Sequence, residues 1–165
     1  MKQIKIKKIS TVVLAMSICL GIHVTAFAAP LDGETSTNTE LAEYKETLTE
    51  NRNTLQGILN ENGVLMEEIK TAQKGLKNSN TLTEEFNTEL RNMSALIQQK
   101  RIALTEKREQ VIGLQETSRE SMESGDVDAA KTTLEQVINI QAEQIELQNE
   151  LTDLLEQKLN LLQGN

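Results

Sequence analysis

The sequence predicts an all-α protein of three long antiparallel helices, and three observations support this. After residue 37, apolar residues recur on a seven-residue repeat, as they do along helices that pack lengthwise. After residue 28, the only proline is Pro30 and the only aromatic residues are Tyr44 and Phe86, whereas strands favour aromatic and β-branched residues. Short polar breaks divide the chain into three nearly equal segments. We expect an elongated helical bundle, or a coiled-coil hairpin with the first helix packed alongside.

The first 28 residues have the three-part pattern of a secretory signal peptide. Four lysines precede residue 9, an apolar run follows from 9 to 24, and small residues stand at Ala26 and Ala28. Cleavage is expected before Ala29. The apolar run is shorter than the roughly 20 residues that span a bilayer, so we expect no stable membrane insertion after cleavage. The predicted location is extracytoplasmic: periplasm, cell wall or extracellular space.

Removal of this segment changes the charge and the available chemistry of the chain. It takes away four lysines, Cys19 and His23, which leaves 13 basic and 25 acidic residues, a formal net charge of −12. Such a chain is a poor partner for nucleic acid, whose phosphates need clustered Lys and Arg. It also lacks thiolate and imidazole ligands for a metal. We find no nucleophile with a positioned base, so the sequence predicts a protein that is not an enzyme and uses no cofactor or metal.

The first helix is expected over residues near 39 to 78, after a disordered tail over residues 29–36. Its start is marked by Thr37 and Glu40, which have the spacing of a capping box. Asn51 and Asn62 fall on the apolar seam, where asparagine costs stability but can set register. Gly63 leaves two alternatives open, a continuous helix or one that is kinked or split at this point.

The second helix is expected near 82 to 123 and the third near 126 to 162. Thr81 and Glu84 form a second predicted capping box at the start of the second helix. Gly125 can take the left-handed conformation that closes this helix, and Asp126 is placed to cap the next. The apolar face of the third helix is broad, so this helix is expected to contact both of the others.

Charged residues on the second and third helices are expected to pair across the seam. Residues equally distant from Gly125 should lie at similar heights on two antiparallel helices. The structural interpretation is interhelical ion pairing beside the seam, and the functional alternative is a basic patch for an anionic ligand. The residues concerned are Lys100 and Arg101 opposite Glu150, and Lys107 and Arg108 opposite Glu143 and Glu146.

The region from Leu82 to Leu162 resembles the Spy and CpxP family of small extracytoplasmic chaperones. Leu82-Thr83-Glu84-Glu85-Phe86 is similar to the family's Leu-Thr-x-x-Gln motif at a helix start, with Phe86 in place of glutamine. The Gly125-Asp126 turn is followed by Ala129-Ala130 and a helix rich in Leu, Ile and Gln. The resemblance implies an ATP-independent, all-helical chaperone or envelope-stress protein that holds unfolded or partly folded secreted proteins.

The leading hypothesis is therefore a secreted, non-enzymatic, chaperone-like binding protein. The alternative is a structural or adhesive coiled-coil protein that self-associates at the cell surface, for example as a homodimer. In that case Asn51, Asn62, Lys100 and Lys107 would specify the partner and its register. An enzyme is the least favoured class, because the sequence lacks the groups that a catalytic site needs.

Overall fold

The computed structural model describes residues 41–77 and 83–164, which form three long α-helices. Helix α1 comprises Ala42–Lys77, α2 comprises Glu84–Glu123 and α3 comprises Val127–Gln163. At 1.5 Å per residue each helix is about 55 to 60 Å long. No strand occurs in the described ranges. The predicted all-α fold is confirmed.

Helix α3 lies at the centre of the arrangement. Both α1 and α2 pack along α3, whereas the backbones of α1 and α2 come close to each other at very few positions. The hydrogen bonds from Tyr44 to Glu135 and from Asn62 to Gln148 show that α1 runs parallel to α3. The ion pairs between α2 and α3 have the opposite order along the chain, so those two helices are antiparallel. The protein is an antiparallel α2–α3 hairpin with α1 packed alongside α3.

The broad apolar face of α3 explains its central position. Ten of its residues are buried, against four of α2, and most of them recur at spacings of three or four residues. A stripe with this spacing faces two neighbouring helices at once. The buried residues of α3 are Ala130, Thr133, Leu134, Val137, Gln141, Gln148, Leu151, Leu155, Leu159 and Leu162.

One apolar cluster joins all three helices. It lies where the end of α1, the start of α2 and the end of α3 meet. Helix α1 contributes Ile69, α2 contributes Phe86 and Ile97, and α3 supplies four leucines. Aliphatic and aromatic burial here holds α1 and α2 to the same end of α3. The four leucines are Leu151, Leu155, Leu159 and Leu162.

The turn between α2 and α3 is closed by Gly125 and Asp126, the two residues that the sequence indicates. Gly125 has φ +80° and its N–H donates to the carbonyl of Met122, while the N–H of Asp126 donates to that of Ser121. These two bonds form a Schellman motif, which requires the left-handed residue that glycine supplies. The Asp126 carboxylate also accepts from the N–H of Ala129 at 3.0 Å and caps α3. Two adjacent residues therefore end α2 and begin α3.

The start of α2 differs from the predicted capping box. Thr83 is the N-cap: its backbone is extended and its hydroxyl accepts from the N–H of Phe86 at 3.2 Å. Glu84 is thus the first helical residue, whereas a box starting at Thr81 would place it in the third position. Thr81 lies outside the described residues. The predicted capping box is wrong because a second threonine, Thr83, lies directly before Glu84 and can cap the helix itself. Capping by Thr83 also places Phe86 in the apolar cluster.

Helix α1 is not split at Gly63. A single α-helix runs from Ala42 to Lys77. The neighbouring Asn62 is 3% exposed and is hydrogen bonded to α3, so tertiary contacts hold the helix where its local propensity is weak. The continuous helix is the correct alternative of the two that the sequence left open.

The open space around Gly63 leads to a prediction. A methyl group at this position would meet no atom within 4 Å. Gly63→Ala is expected to raise the free energy of unfolding by about 1 kcal/mol, since alanine removes the entropic cost of glycine in a helix. The measurement is urea unfolding followed by far-ultraviolet circular dichroism.

The matched control for this prediction is Gly125→Ala. It adds the same methyl group, again with no atom within 4 Å, but at φ +80°. The left-handed backbone makes this change destabilising by about 1 to 2 kcal/mol. Equal effects of the two substitutions would contradict the assignment of Gly63 to a regular helix.

Candidate binding surface

Two ion pairs join α2 to α3 in the register set by the turn. The ammonium group of Lys100 contacts the carboxylate of Glu150, and Lys107 contacts Glu143. All four side chains are partly exposed, and such pairs contribute about 0 to 1 kcal/mol each. They therefore add little to the stability of the hairpin, and these two lysines are already neutralised within the chain.

Arg101 departs from the predicted pairing with Glu150. Its guanidinium group lies against the sulfur of Met66 on α1. Arg101 follows Lys100 by one residue, so its side chain is rotated by about 100° around the helix axis. This rotation turns Arg101 away from Glu150 and toward α1. The pairing expected for Arg108 and Glu146 stays a prediction.

A polar contact is buried between α1 and α3. The Asn62 amide donates to Oε1 of Gln148 at 3.0 Å, and the Thr152 hydroxyl lies 2.8 Å from Oδ1 of Asn62. Asn62 and Gln148 are both buried, so replacing Asn62 would leave Oε1 of Gln148 without this donor, and replacing Gln148 would leave the Asn62 amide N–H without this acceptor. The sequence marks Asn62 as a seam position, but its partner is visible only in the structure. The network joins α1 to α3 through buried polar groups.

Other buried polar atoms have no hydrogen-bond partner among the described residues. They are Nε of Arg52, Oγ of Ser118 and Oε1 of Gln141. Gln141 precedes Gln148 by one heptad, and the corresponding position on α1 is Leu55 rather than a second asparagine. An unpaired buried amide oxygen costs free energy, so this part of the seam is weaker than the part around Asn62.

Large apolar side chains are exposed on both outer helices. Val64 of α1 is 60% exposed, and Ile102 and Ile112 of α2 are 52% and 58% exposed. Met66 and Leu96 are also exposed, and Val64 borders a shallow groove along α1 that reaches Gln163 of α3. These side chains give α1 and α2 apolar contact points outside the core.

The N-terminal part of α1 is held by Tyr44. Its hydroxyl donates to the carboxylate of Glu135 at 2.8 Å. This hydrogen bond, and then burial and the negative charge of Glu135, raise the pKa of Tyr44. The phenol is therefore a neutral donor that ties α1 to α3 at neutral pH.

Lys158 is a functional candidate that sequence reasoning overlooked. It lies on α3 and donates to the hydroxyl of Ser94 on α2 at 2.8 Å. Burial, followed by the charge of Arg101, lowers the pKa of Lys158. The sequence does contain a signal for this burial, because the residues three and four positions from Lys158 are all leucines: Leu154, Leu155, Leu161 and Leu162.

Several predicted residues cannot be placed. The cleavage residues Ala26, Ala28 and Ala29 and the first capping box, Thr37 and Glu40, lie outside the described residues. Within residues 41–77 and 83–164, no group of three or more His, Cys, Asp or Glu side chains is arranged to hold a metal ion. The described helices include none with the length and apolarity needed to cross a bilayer.

Comparison with protein-family models, with curated proteins and with solved structures finds no match to this chain. The resemblance to the Spy and CpxP family therefore stays a prediction, carried by the residues at the start of α2 and at the Gly125 turn.

Proposed function

We propose that this protein is an extracytoplasmic, ATP-independent binding protein that holds unfolded or partly folded secreted proteins. The observation that supports it best is the set of large apolar side chains exposed on α1 and α2. Non-native polypeptides expose apolar residues, and these can be partly buried against such contact points. We place the activity in binding rather than in catalysis.

The arrangement of the helices suits this role. Because α1 and α2 pack mainly on α3 and make little direct backbone contact, parts of both helices that face away from α3 remain exposed. The exposed residues of α2 are spread along the helix: Ile102 and Ile112 are ten residues apart, or about 15 Å along the axis and about 80° around it. Contacts at this spacing fit an extended client segment better than a small molecule.

The acidic composition supports the same proposal. A net charge of −12 after removal of the first 28 residues favours solubility and limits self-association through the exposed apolar residues. Repulsion between like charges would disfavour strongly acidic clients. We therefore expect neutral or basic clients to bind better.

The alternative is a coiled-coil protein that self-associates at the cell surface. The exposed Ile102 and Ile112 of α2 could be buried against a second copy as readily as against a client. However, Asn62, Lys100 and Lys107 are bonded within the chain and are not available to specify a partner. A second copy would have to use the exposed part of α2.

The deciding experiment is a light-scattering assay of client aggregation. Residues 29–165 are added to a chemically denatured client on dilution, without nucleotide, and the molar mass is measured on the same sample. Suppression of aggregation near equimolar ratio would support the chaperone-like function. A stable dimer or larger assembly without suppression would favour the structural alternative.

A pair of charged substitutions tests which surface is responsible. Ile102→Glu with Ile112→Glu should weaken suppression about tenfold, because losing about 1.4 kcal/mol of apolar contact corresponds to that factor. The matched control is Gln98→Glu with Gln110→Glu, which adds the same charge at exposed polar positions of α2. Equal activity of the two variants would exclude the exposed isoleucines of α2 as the client surface.

A further inference from the structure

Helices α1 and α3 pair through a shared seven-residue repeat. The hydrogen-bonded residues Asn62 and Gln148 are 86 residues apart, and steps of seven from both give further pairs with the same separation. The members of these pairs are buried or pack against the apolar cluster. Because the two helices are parallel, the pairs form successive layers of one seam. The layers are Leu48 with Leu134, Leu55 with Gln141, Asn62 with Gln148, Ile69 with Leu155, and Leu76 with Leu162.

One layer of this seam is mismatched. Gln141 is 3% exposed, its Oε1 atom has no hydrogen-bond partner within the described part of the chain, and the residue of α1 in its layer is Leu55. In the next layer, Asn62 donates to the corresponding atom of Gln148. A helix with an amide side chain in place of Leu55 would supply a donor to Gln141 as well. Helix α1 therefore leaves one polar group of α3 unsatisfied.

Helix α1 also has the lowest intrinsic helical propensity of the three. Its interior contains Gly57, Gly63 and Gly75, whereas α2 contains Gly113 alone and α3 contains no glycine. A methyl group at any of the three positions in α1 would meet no atom within 4 Å, so close packing does not require glycine there. Glycine disfavours the helix relative to alanine, so α1 depends on its contacts with α3 to remain helical.

The three helices are joined unequally. Helices α2 and α3 are connected by residues 124–126, which form a closed and capped turn. Helix α1 packs mainly along its seam with α3, because the backbones of α1 and α2 come close at very few positions. Detachment of α1 would break this seam and leave the α2–α3 hairpin in place. Such a unit opens at a lower free energy than the whole protein unfolds.

We propose that α1 is a displaceable helix and that the face of α3 beneath it is a second, concealed client surface. This face, the α3 strip, would bind a helix-forming client segment that carries apolar residues every seven positions and amide residues opposite Gln141 and Gln148. Helix α1 has this pattern except at Leu55, so it shows which kind of helix fits. The identity of the partner rests on the proposed client-binding function. The α3 strip comprises Leu134, Gln141, Gln148, Leu155 and Leu162.

Displacement makes binding depend on the fraction of molecules in which α1 is detached. The apparent dissociation constant equals the intrinsic constant divided by that open fraction. Weakening the α1 seam should therefore tighten binding, and locking α1 in place should abolish it. This dependence distinguishes the α3 strip from Ile102 and Ile112 of α2, which are exposed while α1 is docked.

The test uses a fluorescent synthetic peptide with the sequence of residues 41–77, added to residues 29–165 and followed by fluorescence anisotropy. We expect saturable binding. Leu48→Ala in the protein should lower the apparent dissociation constant about tenfold or more, because loss of a buried leucine from the seam raises the open fraction. The matched control is Val64→Ala, which shortens an exposed side chain of the same helix and should change the constant less than about twofold.

A covalent cross-link produces the opposite change. Tyr44→Cys with Glu135→Cys, joined by a short bismaleimide, ties α1 to α3 where the two side chains are in contact. This cross-link should weaken peptide binding by at least about tenfold. The control joins α2 to α3 through Lys107→Cys and Glu143→Cys and should leave binding unchanged. The only native cysteine is Cys19, so residues 29–165 contain no other thiol.

Two peptide variants test the amide layer. Leu55→Asn in the peptide places a donor opposite Gln141, whereas Leu48→Asn places the same amide opposite the buried Leu134. The peptide with Leu48→Asn should bind at least about tenfold more weakly than the peptide with Leu55→Asn, because its amide has no partner in the seam. Equal binding of the two variants would contradict the proposed recognition of a client amide by Gln141.

Other outcomes would overturn the displaceable helix itself. These are no saturable binding of the unmodified peptide, or binding that the cross-link between α1 and α3 leaves unchanged. A dimer of the unmodified protein that this cross-link prevents would assign the strip to α1 of a second copy and would overturn the client assignment. Peptide binding that the cross-link blocks, without suppression of client aggregation, would refute the proposed function and support the displaceable helix.

Discussion

Replacement of Leu155 by alanine is expected to lower the free energy of unfolding by about 3 kcal/mol, the largest effect predicted for this protein. Leu155 is 2% exposed and belongs to the cluster that joins α3 with Ile69 of α1 and Phe86 of α2. Truncation removes apolar contacts with two helices and leaves a cavity that rigid neighbours fill only in part. Urea unfolding followed by circular dichroism measures the change.

Leu96→Ala is the matched control for this substitution. It makes the same chemical change on α2, at a side chain that is 47% exposed. Its expected cost is below about 1 kcal/mol, because little apolar surface is lost from the core. If Leu155→Ala were no more destabilising than Leu96→Ala, the three-helix cluster would not be the main core of the protein.

Replacement of Asn62 by leucine is expected to cost about 1 to 3 kcal/mol, although it adds apolar volume to an apolar seam. The substitution removes the donor to Gln148 and leaves Oε1 of that side chain buried without its partner. An unsatisfied buried amide carries its full desolvation penalty, whereas the intact hydrogen bond offsets that penalty.

The double substitution Asn62→Leu with Gln148→Leu separates the two contributions. It removes both polar groups, so stability should return to within about 1 kcal/mol of the unmodified protein or exceed it. Together with the single variant Gln148→Leu, these proteins form a double-mutant cycle, and its coupling energy should be at least about 1 kcal/mol in size. A coupling energy of zero would show that Asn62 and Gln148 do not interact in solution.

The cycle also bears on the specificity of the fold. If the buried amides set the register of α1, the double leucine variant should lose the ordering of α1 while keeping its stability. Broadened amide signals of α1, with those of the α2–α3 hairpin unchanged, would reveal this loss. Sharp and unshifted signals would assign the register to the apolar cluster around Ile69 instead.

The sequence predicted those features of the fold that rest on local interactions. The seven-residue repeat specified helices, because an apolar stripe at this spacing can be buried only by lengthwise packing. Gly125 and Asp126 marked the turn, since a left-handed residue and a side-chain cap are requirements of the adjacent backbone. This turn also set the positions of Lys100 and Lys107 along α2, opposite Glu150 and Glu143 of α3.

The candidate site was less accessible from the sequence. The apolar repeat predicts which residues of α2 turn inward, but not that Ile102 and Ile112 remain exposed after packing. The hydrogen bond between Lys158 and Ser94 joins residues far apart in the chain. Predicting such contacts requires the direction in which each side chain points around its helix axis. Lys100 contacts Glu150, whereas Arg101, one residue later, contacts Met66.

By itself, the sequence determined the helices, their order and the hairpin register, because these follow from periodicity and from capping by neighbouring residues. The tertiary structure alone decided that Thr83 caps α2, that α1 continues through Gly63, and that Gln148 is the partner of Asn62. The physical reason is that local propensities of similar size compete at Thr83 and at Gly63, whereas Asn62 and Gln148 lie far apart in the chain. Burial of Phe86 and Asn62 against distant parts of the chain decides the competition.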